Sequence, residues 1–255
     1  MPLEKSSSLL ISIITPCFNA EKYISETIES VRQQSYQNWE MIIVDDGSKD
    51  NSYQLLQDWA AKDPRIKALK QTNAGPALAR QNALNHSKGE LVCFLDADDL
   101  WLPQKLERQL NFMLEKQSAF SFSQYRRFTN NPEQTGRLVS IPLQVSYEQL
   151  LSHNVIATLT TMVDRRKTGP LIMANEPYDD FVLWLSILKK GFVALGIQED
   201  LARYRVVMGS VSSKKLRAAK WYWHIIRNVE RLPLIVACFQ FCKYALKVSL
   251  KHSRF

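Results

Sequence analysis

Short apolar runs alternate with amphipathic stretches through the first half of the chain, and that rhythm predicts strand and helix in turn. Leu9–Thr15 reads as a strand, and Glu21–Gln34 as a helix with Ile24, Ile28 and Val31 on one face. Met41–Val44 is the second strand, followed by a helix over Asn51–Asp63 that Pro64 ends. Ile66–Leu69 and Leu91–Leu95 are further strands, each followed by a helix, Pro76–His86 and Pro103–Lys116. Strands separated by helices imply parallel pairing through right-handed crossovers. The expected fold is therefore α/β, a Rossmann-like doubly wound sheet.

The pattern loosens after Ala119. Ala119–Tyr125, Leu159–Val163 and Ala202–Val207 read as strands, Asn130-Asn131-Pro132 as a turn, and Asp180–Lys189 as a helix. Added antiparallel strands are expected here. The expected domain runs over 1–211, divided into a nucleotide-binding half, 1–117, and an acceptor-binding half, 118–211. A basic amphipathic helical tail occupies 212–255. In it Lys243, Lys247, Lys251 and Arg254 form one stripe, opposed by Phe239, Phe241, Cys242, Ala245, Leu246 and Leu250. Trp221, Tyr222 and Trp223 are expected as interfacial aromatics.

Charge sharpens the picture of that tail. The net charge of +8 is concentrated in residues 214–255, which hold ten Lys or Arg and one acid, so the rest of the chain is near neutral. Such asymmetry points to an anionic surface, in the first place a membrane. Lys243 and Lys247 interrupt the apolar run that a spanning helix needs. The alternatives are a helix packed on its own domain or on a second subunit in a homodimer.

The four cysteines, 17, 93, 238 and 242, form neither a zinc pattern nor a disulfide framework. Met1–Ser8 does not read as a signal peptide. A cytoplasmic enzyme, peripheral on the inner face of the membrane, is expected. The eight glycines give neither GxGxxG nor GxxxxGK[ST], which excludes the common dinucleotide and phosphate loops. A neutral body without zinc-finger or ribonucleoprotein motifs argues against a nucleic acid partner, although a nucleic-acid-binding protein using the basic tail is a rival reading.

Four polar clusters, Thr15-Pro16-Cys17-Phe18-Asn19, Asp45-Asp46-Gly47-Ser48, Asp96-Ala97-Asp98-Asp99 and Asp179-Asp180, sit where apolar runs stop, and ligands of open α/β sheets bind beyond the strands' carboxyl ends. In Asp96-Ala97-Asp98-Asp99 the carboxylates of Asp96 and Asp98, two residues apart, address one side of an extended chain. They suit a hard cation such as Mg²⁺ or Mn²⁺; a helix cap would need Asp99 alone. Asp45-Asp46-Gly47-Ser48 can accept a uracil imide N–H or simply make a turn. Asn73-Ala74-Gly75-Pro76 leads to Arg80, either a pyrophosphate clamp or a solvated helix residue. Asp179-Asp180 opens an apolar helix, as dipole-favoured acids or as a general base with Trp184 in the adjoining wall.

Together Thr15-Pro16-x-Phe18-Asn19, Val44-Asp45-Asp46-Gly47-Ser48, Asn73-x-Gly75 with Arg80, and Asp96-x-Asp98-Asp99 resemble glycosyltransferase family 2. The resemblance runs from about Ile11 to Leu106 and continues through Asp179-Asp180 and Tyr204-Arg205 to Ser212. It implies a GT-A fold, inversion at the anomeric carbon, a UDP-sugar donor, and Mn²⁺ or Mg²⁺. By position it implies Thr15, Pro16 and Asp46 around the uridine, Arg80 near the diphosphate, and Asn19 and Gly75 on the nucleotide sugar. Asp96, Ala97 and Asp98 would meet the nucleotide sugar, with Asp98 and Asp96 on the metal. Asp180 would be the base beside Asp179, where the family's usual motif is Glu-Asp. Hexose transfer to a growing, undecaprenyl-diphosphate-linked polysaccharide of O-antigen or capsule type follows from the resemblance. A catalytically silent sugar-nucleotide-binding protein is the other alternative.

Overall fold

The computed structural model describes residues 9–206 and 215–252, with the side chains of 215–216 and 247–252 excepted. Met1–Ser8, the proposed domain boundary at 211/212, Lys214, Ser212 and Arg254 lie outside the described residues. So do the side chains of Lys247, Leu250 and Lys251.

Among the described residues, ten strands form one sheet. They are β1 (Ile11–Cys17), β2 (Trp39–Asp45), β3 (Ile66–Lys70), β4 (Leu91–Phe94), β5 (Leu100–Trp101), β6 (Phe120–Phe128), β7 (Leu138–Val139), β8 (Gln144–Val145), β9 (Met162–Asp164) and β10 (Ala194–Arg205). The helices of the first half are α1 (Ile24–Arg32), α2 (Ser52–Lys62), α3 (Pro76–Asn85) and α4 (Lys105–Glu115). Those of the second half are α5 (Tyr147–Ser152), α6 (Arg165–Thr168), α7 (Asp179–Leu188), α8 (Lys215–His224) and α9 (Leu234–His252). The main path across the sheet is β3-β2-β1-β4-β9-β6-β10-β5. The β1–β4 region pairs in parallel, β9 enters antiparallel between β4 and β6, and β10 returns parallel to β6. This is the expected mainly parallel sheet with antiparallel additions. Strand order reverses between β1 and β4, which places the ligand crevice at their carboxyl ends.

Alternation along each strand divides the core. Ile14, Ile42, Val44, Val92 and Phe94 face one layer, built from α3, α5, α7 and parts of α8 and α9. Ile11, Ile13, Met41, Ile43, Leu91 and Cys93 face the other, built mainly from α1, α2 and α4. Both faces are covered, which is why these strands read as unbroken apolar runs.

Three sequence expectations change. Leu159–Val163 is a 3₁₀ turn (Thr158–Thr160) followed by the short β9, because Thr160 and Thr161 bond back to carbonyls of the turn. The late strand begins at Ala194, eight residues before the expected start, hidden by the polar stretch Gln198-Glu199-Asp200, where its register against β6 shifts. Tyr222 is no interfacial aromatic: it is 3% exposed, its hydroxyl donates to Leu151 O at 2.7 Å, and its ring stacks on Tyr244 at 4.2 Å. With Ile225, Ile226 and Ala237 it seats the α8–α9 hairpin in the core. Glu230 fastens the hairpin by accepting from Tyr147 Oη at 2.6 Å and Lys189 Nζ at 2.8 Å.

Candidate active site

The carboxyl ends of β1 and β2 are tied together before any ligand enters. Asn19 has a left-handed backbone, φ +48°; its N–H donates to Ser48 Oγ and its Oδ1 accepts from Lys49 N, both at 2.9 Å. Asp46 is buried. Its Oδ1 accepts from Gln71 Nε2 and Ala74 N, and its Oδ2 from Gly75 N at 2.8 Å. Asp46 therefore fastens the 73–75 loop to the end of β2, a task that reading the chain in order does not reveal. At the same strand ends Thr15 Oγ1 and Asp45 Oδ1 are buried with no hydrogen-bond partner among the described residues. Pro16 is half-buried between them in sequence and Asn19 is exposed.

Beyond β4, the 96–99 turn is anchored at both flanks. Thr27 Oγ1 donates to Ala97 O at 3.0 Å; Arg205 donates from its backbone N–H to Asp99 Oδ1 at 2.8 Å and from Nε to Asp98 O at 2.7 Å. Arg80, 6% exposed, crosses from α3 to join two clusters far apart in sequence. Its NH1 donates to Asp179 Oδ2 and its NH2 to Asp96 Oδ1, each at 2.6 Å. Burial alone would depress its pKa, but the Asp96 and Asp179 charges raise it, so the guanidinium stays charged.

Asp180 differs from its neighbour. It is half-buried, its Oδ2 accepts from Thr158 Oγ1 at 2.6 Å, and no cation pairs with it among the described residues. Burial and then the Asp179 charge raise its pKa, against the lowering effect of the Thr158 hydroxyl. Asp180, Asp179, Asp96, Asp99, Arg80 and Gly75 line one cavity of about 760 Å³, with Thr158, Tyr178, Tyr204 and Trp221 completing its walls. The volume suits a substrate cavity. Trp184 is not in that wall; it is fully buried between Phe94 and Phe120, at ring-centre distances of 5.5 and 5.0 Å. One helical turn past Asp180 carries it under the sheet. Thr158 carries no local sequence signal, and Trp221, expected as an interfacial aromatic, lines this cavity instead, since only the fold brings either into one cavity with Asp180.

Asp96 and Asp98 suit a hard divalent cation. Asp98 is in no ion pair among the described residues, and Asp96 has one oxygen not used by Arg80. Burial and the Asp96 charge push the Asp98 carboxyl up to about 6. No group of three or more His, Cys, Asp or Glu able to hold a metal occurs among the described residues. Phosphate and water would complete the shell, as Mg²⁺ and Mn²⁺ favour.

Residues 12–167 match the model of the family described as glycosyl transferase family 2. The chain is 43% identical over 238 residues to the putative teichuronic acid biosynthesis glycosyltransferase TuaG of Bacillus subtilis, covering 92% of this chain and 94% of that protein. It is 37% identical to the UDP-Glc:alpha-D-GlcNAc-diphosphoundecaprenol beta-1,3-glucosyltransferase WfgD of Escherichia coli, over 88% of each. Among solved structures, S. aureus TarS 1–349 in complex with UDP-GlcNAc superposes with a TM-score of 0.69 at 18% identity, over 93% of this chain and 72% of that one. The mannosyltransferase PcManGT from Pyrobaculum calidifontis, in complex with GDP-Man and Mn²⁺, gives 0.67 at 17%, over 95% and 75%. These two likenesses bear on the fold, which is GT-A.

Proposed function

The chain belongs to glycosyltransferase family 2, among the enzymes of bacterial surface polysaccharides, and from that premise we propose an inverting hexose transfer from a UDP-sugar to an undecaprenyl-diphosphate-linked acceptor. The observation that carries the reading is Asp180: an unpaired carboxylate of raised proton affinity, in the same cavity wall as Asp96. It takes the proton of an acceptor hydroxyl as that oxygen attacks the anomeric carbon. The new C–O bond forms opposite the one that breaks, and UDP departs with the electron pair.

The other residues prepare this step. Asp179, ion-paired with Arg80 at 2.6 Å, raises the proton affinity of Asp180 and is a positioning residue. Thr158 fixes the carboxylate's orientation. Thr15, Pro16, Asn19, Asp45 and Asp46 line the uridine end, where Thr15 and Asp45 have polar atoms to spare. Gly75, Arg80 and Ala97 border the diphosphate. Asp98 and Asp96 would hold Mn²⁺ or Mg²⁺, which when bound offsets charge on the leaving diphosphate.

The test is UDP release with UDP-sugar and a lipid-diphosphate acceptor. Asp180→Asn and Asp98→Asn should each lower turnover about a hundredfold or more while the protein stays folded. Near-wild-type turnover in either removes that residue's role. A wild-type protein that binds UDP but never turns over would be a sugar-nucleotide sensor.

Membrane attachment through residues 214–255 belongs to the same proposal. No helix among the described residues is long and apolar enough to cross a membrane. Along α9, however, Leu234, Ile235, Phe239 and Leu246 are mostly exposed, Ile235 at 85%, with Lys243 beside Phe239. An apolar edge flanked by cations suits an anionic lipid surface at the cytoplasmic face. Co-sedimentation with anionic vesicles should exceed that with neutral ones and fall in Ile235→Asp; equal recovery from both vesicles defeats the electrostatic part.

A further inference from the structure

The consecutive aromatics of α8 have three different surroundings. Tyr222 is core, and Trp223 packs edge-on against Phe241 at 5.5 Å. Trp221 instead lines the substrate cavity, half-buried. Its ring meets Tyr178 at 87° with centres 5.3 Å apart, and Tyr178 is itself held in a left-handed conformation, φ +55°, directly before Asp179. The indole is thus braced against the residue that leads into the helix of the base. One turn back, the Arg217 guanidinium lies 5.8 Å from the indole centre. Arg217 and Lys220 are exposed, and neither joins an ion pair among the described residues.

A flat indole in the wall of a largely apolar cavity presents a large apolar face with a negative quadrupole. The C–H face of a pyranose complements it. Two cations not neutralised by nearby acids complement a diphosphate. We propose that Trp221 is the platform for the acceptor's terminal sugar ring, and that Arg217 with Lys220 hold the diphosphate joining that sugar to its lipid. This assignment rests on the reading of the acceptor given above and adds to it which residues recognise which part.

The test is steady-state kinetics with UDP-glucose and two synthetic acceptors: N-acetylglucosaminyl diphosphate on a short alkyl chain, and N-acetylglucosamine as the simple alkyl glycoside. Trp221→Ala should raise the KM of both acceptors by about tenfold, the weight of one aromatic contact, with kcat little changed. Trp221→Phe should restore most of the loss. Arg217→Ala/Lys220→Ala should raise the KM of the diphosphate acceptor alone and flatten its salt dependence. Calorimetric affinity for UDP should match wild type in every variant, which shows an intact fold and donor end. Unchanged acceptor KM in Trp221→Ala, or a fall in kcat alone, overturns the platform. Equal losses on both acceptors in the double variant overturn the diphosphate grip. Wild-type enzyme that binds UDP yet transfers to neither compound defeats the acceptor reading itself, and this assignment with it.

Discussion

A carboxyl group that must accept a proton inside a cavity has to be short of solvent without being locked to a cation. Asp179 is locked, through Arg80 at 2.6 Å, whereas Asp180 joins no ion pair among the described residues, accepts hydrogen bonds from Thr158 and the Phe181 N–H, and feels the Arg80 charge only as a minor lowering influence. Burial and the Asp179 charge raise the Asp180 pKa, so its base form is lost at a higher pH than for an ordinary carboxylate of about 3.9. Turnover should therefore fall along an acid limb as pH decreases through that raised value. The Thr158 hydroxyl favours the charged form, so Thr158→Val should move the limb to still higher pH. A kcat–pH profile that does not move in this variant removes Thr158 from the account. The Asp179-Asp180 pair was legible in sequence as acids opening an apolar helix; which of them is paired was not, because Arg80 lies 99 positions away.

Most elements of the first half were legible because β1, β2 and β4 are buried on both faces and α1 and α4 each show one apolar stripe; the two-residue β5 was too short to read. Beyond Ala119 the signals weaken for local reasons. β9 has only three residues, and β10 carries polar residues where its pairing with β6 slips. The loop between β3 and α3 shows how a short segment builds the site. Gly75 caps α3 at φ +92° and ψ +162°, a region essentially closed to residues with a Cβ, while its N–H bonds Asp46. Gly75→Ala has space for its methyl, so its cost is backbone strain, about 1–3 kcal/mol. Urea denaturation should show that loss, and UDP affinity should fall with it as the Asp46 tether loosens. A variant as stable as wild type would mean that the loop has another resting conformation.

At the scale of the whole molecule, the basic segment is both core and surface. Tyr222→Ala should cost about 3–5 kcal/mol, the range for losing a buried large aromatic, since it removes the stack on Tyr244 and the bond to Leu151. Thermal or urea unfolding measures it; a loss below 1 kcal/mol would mean that the α8–α9 hairpin does not contribute to the core. Its charge was legible from composition, but the inward side of the hairpin depends on Leu151, Phe181 and Tyr147, all distant in sequence. The bridge at Arg80 has a consequence for engineering. One cation serves a carboxylate of the first half, Asp96, and one of the second, Asp179, so a chimera joining the first half of this chain to the second half of a relative loses the bridge unless residues 80, 96 and 179 are exchanged as a set. Swapping acceptor preference by transplanting whole segments is therefore constrained by a single interior arginine.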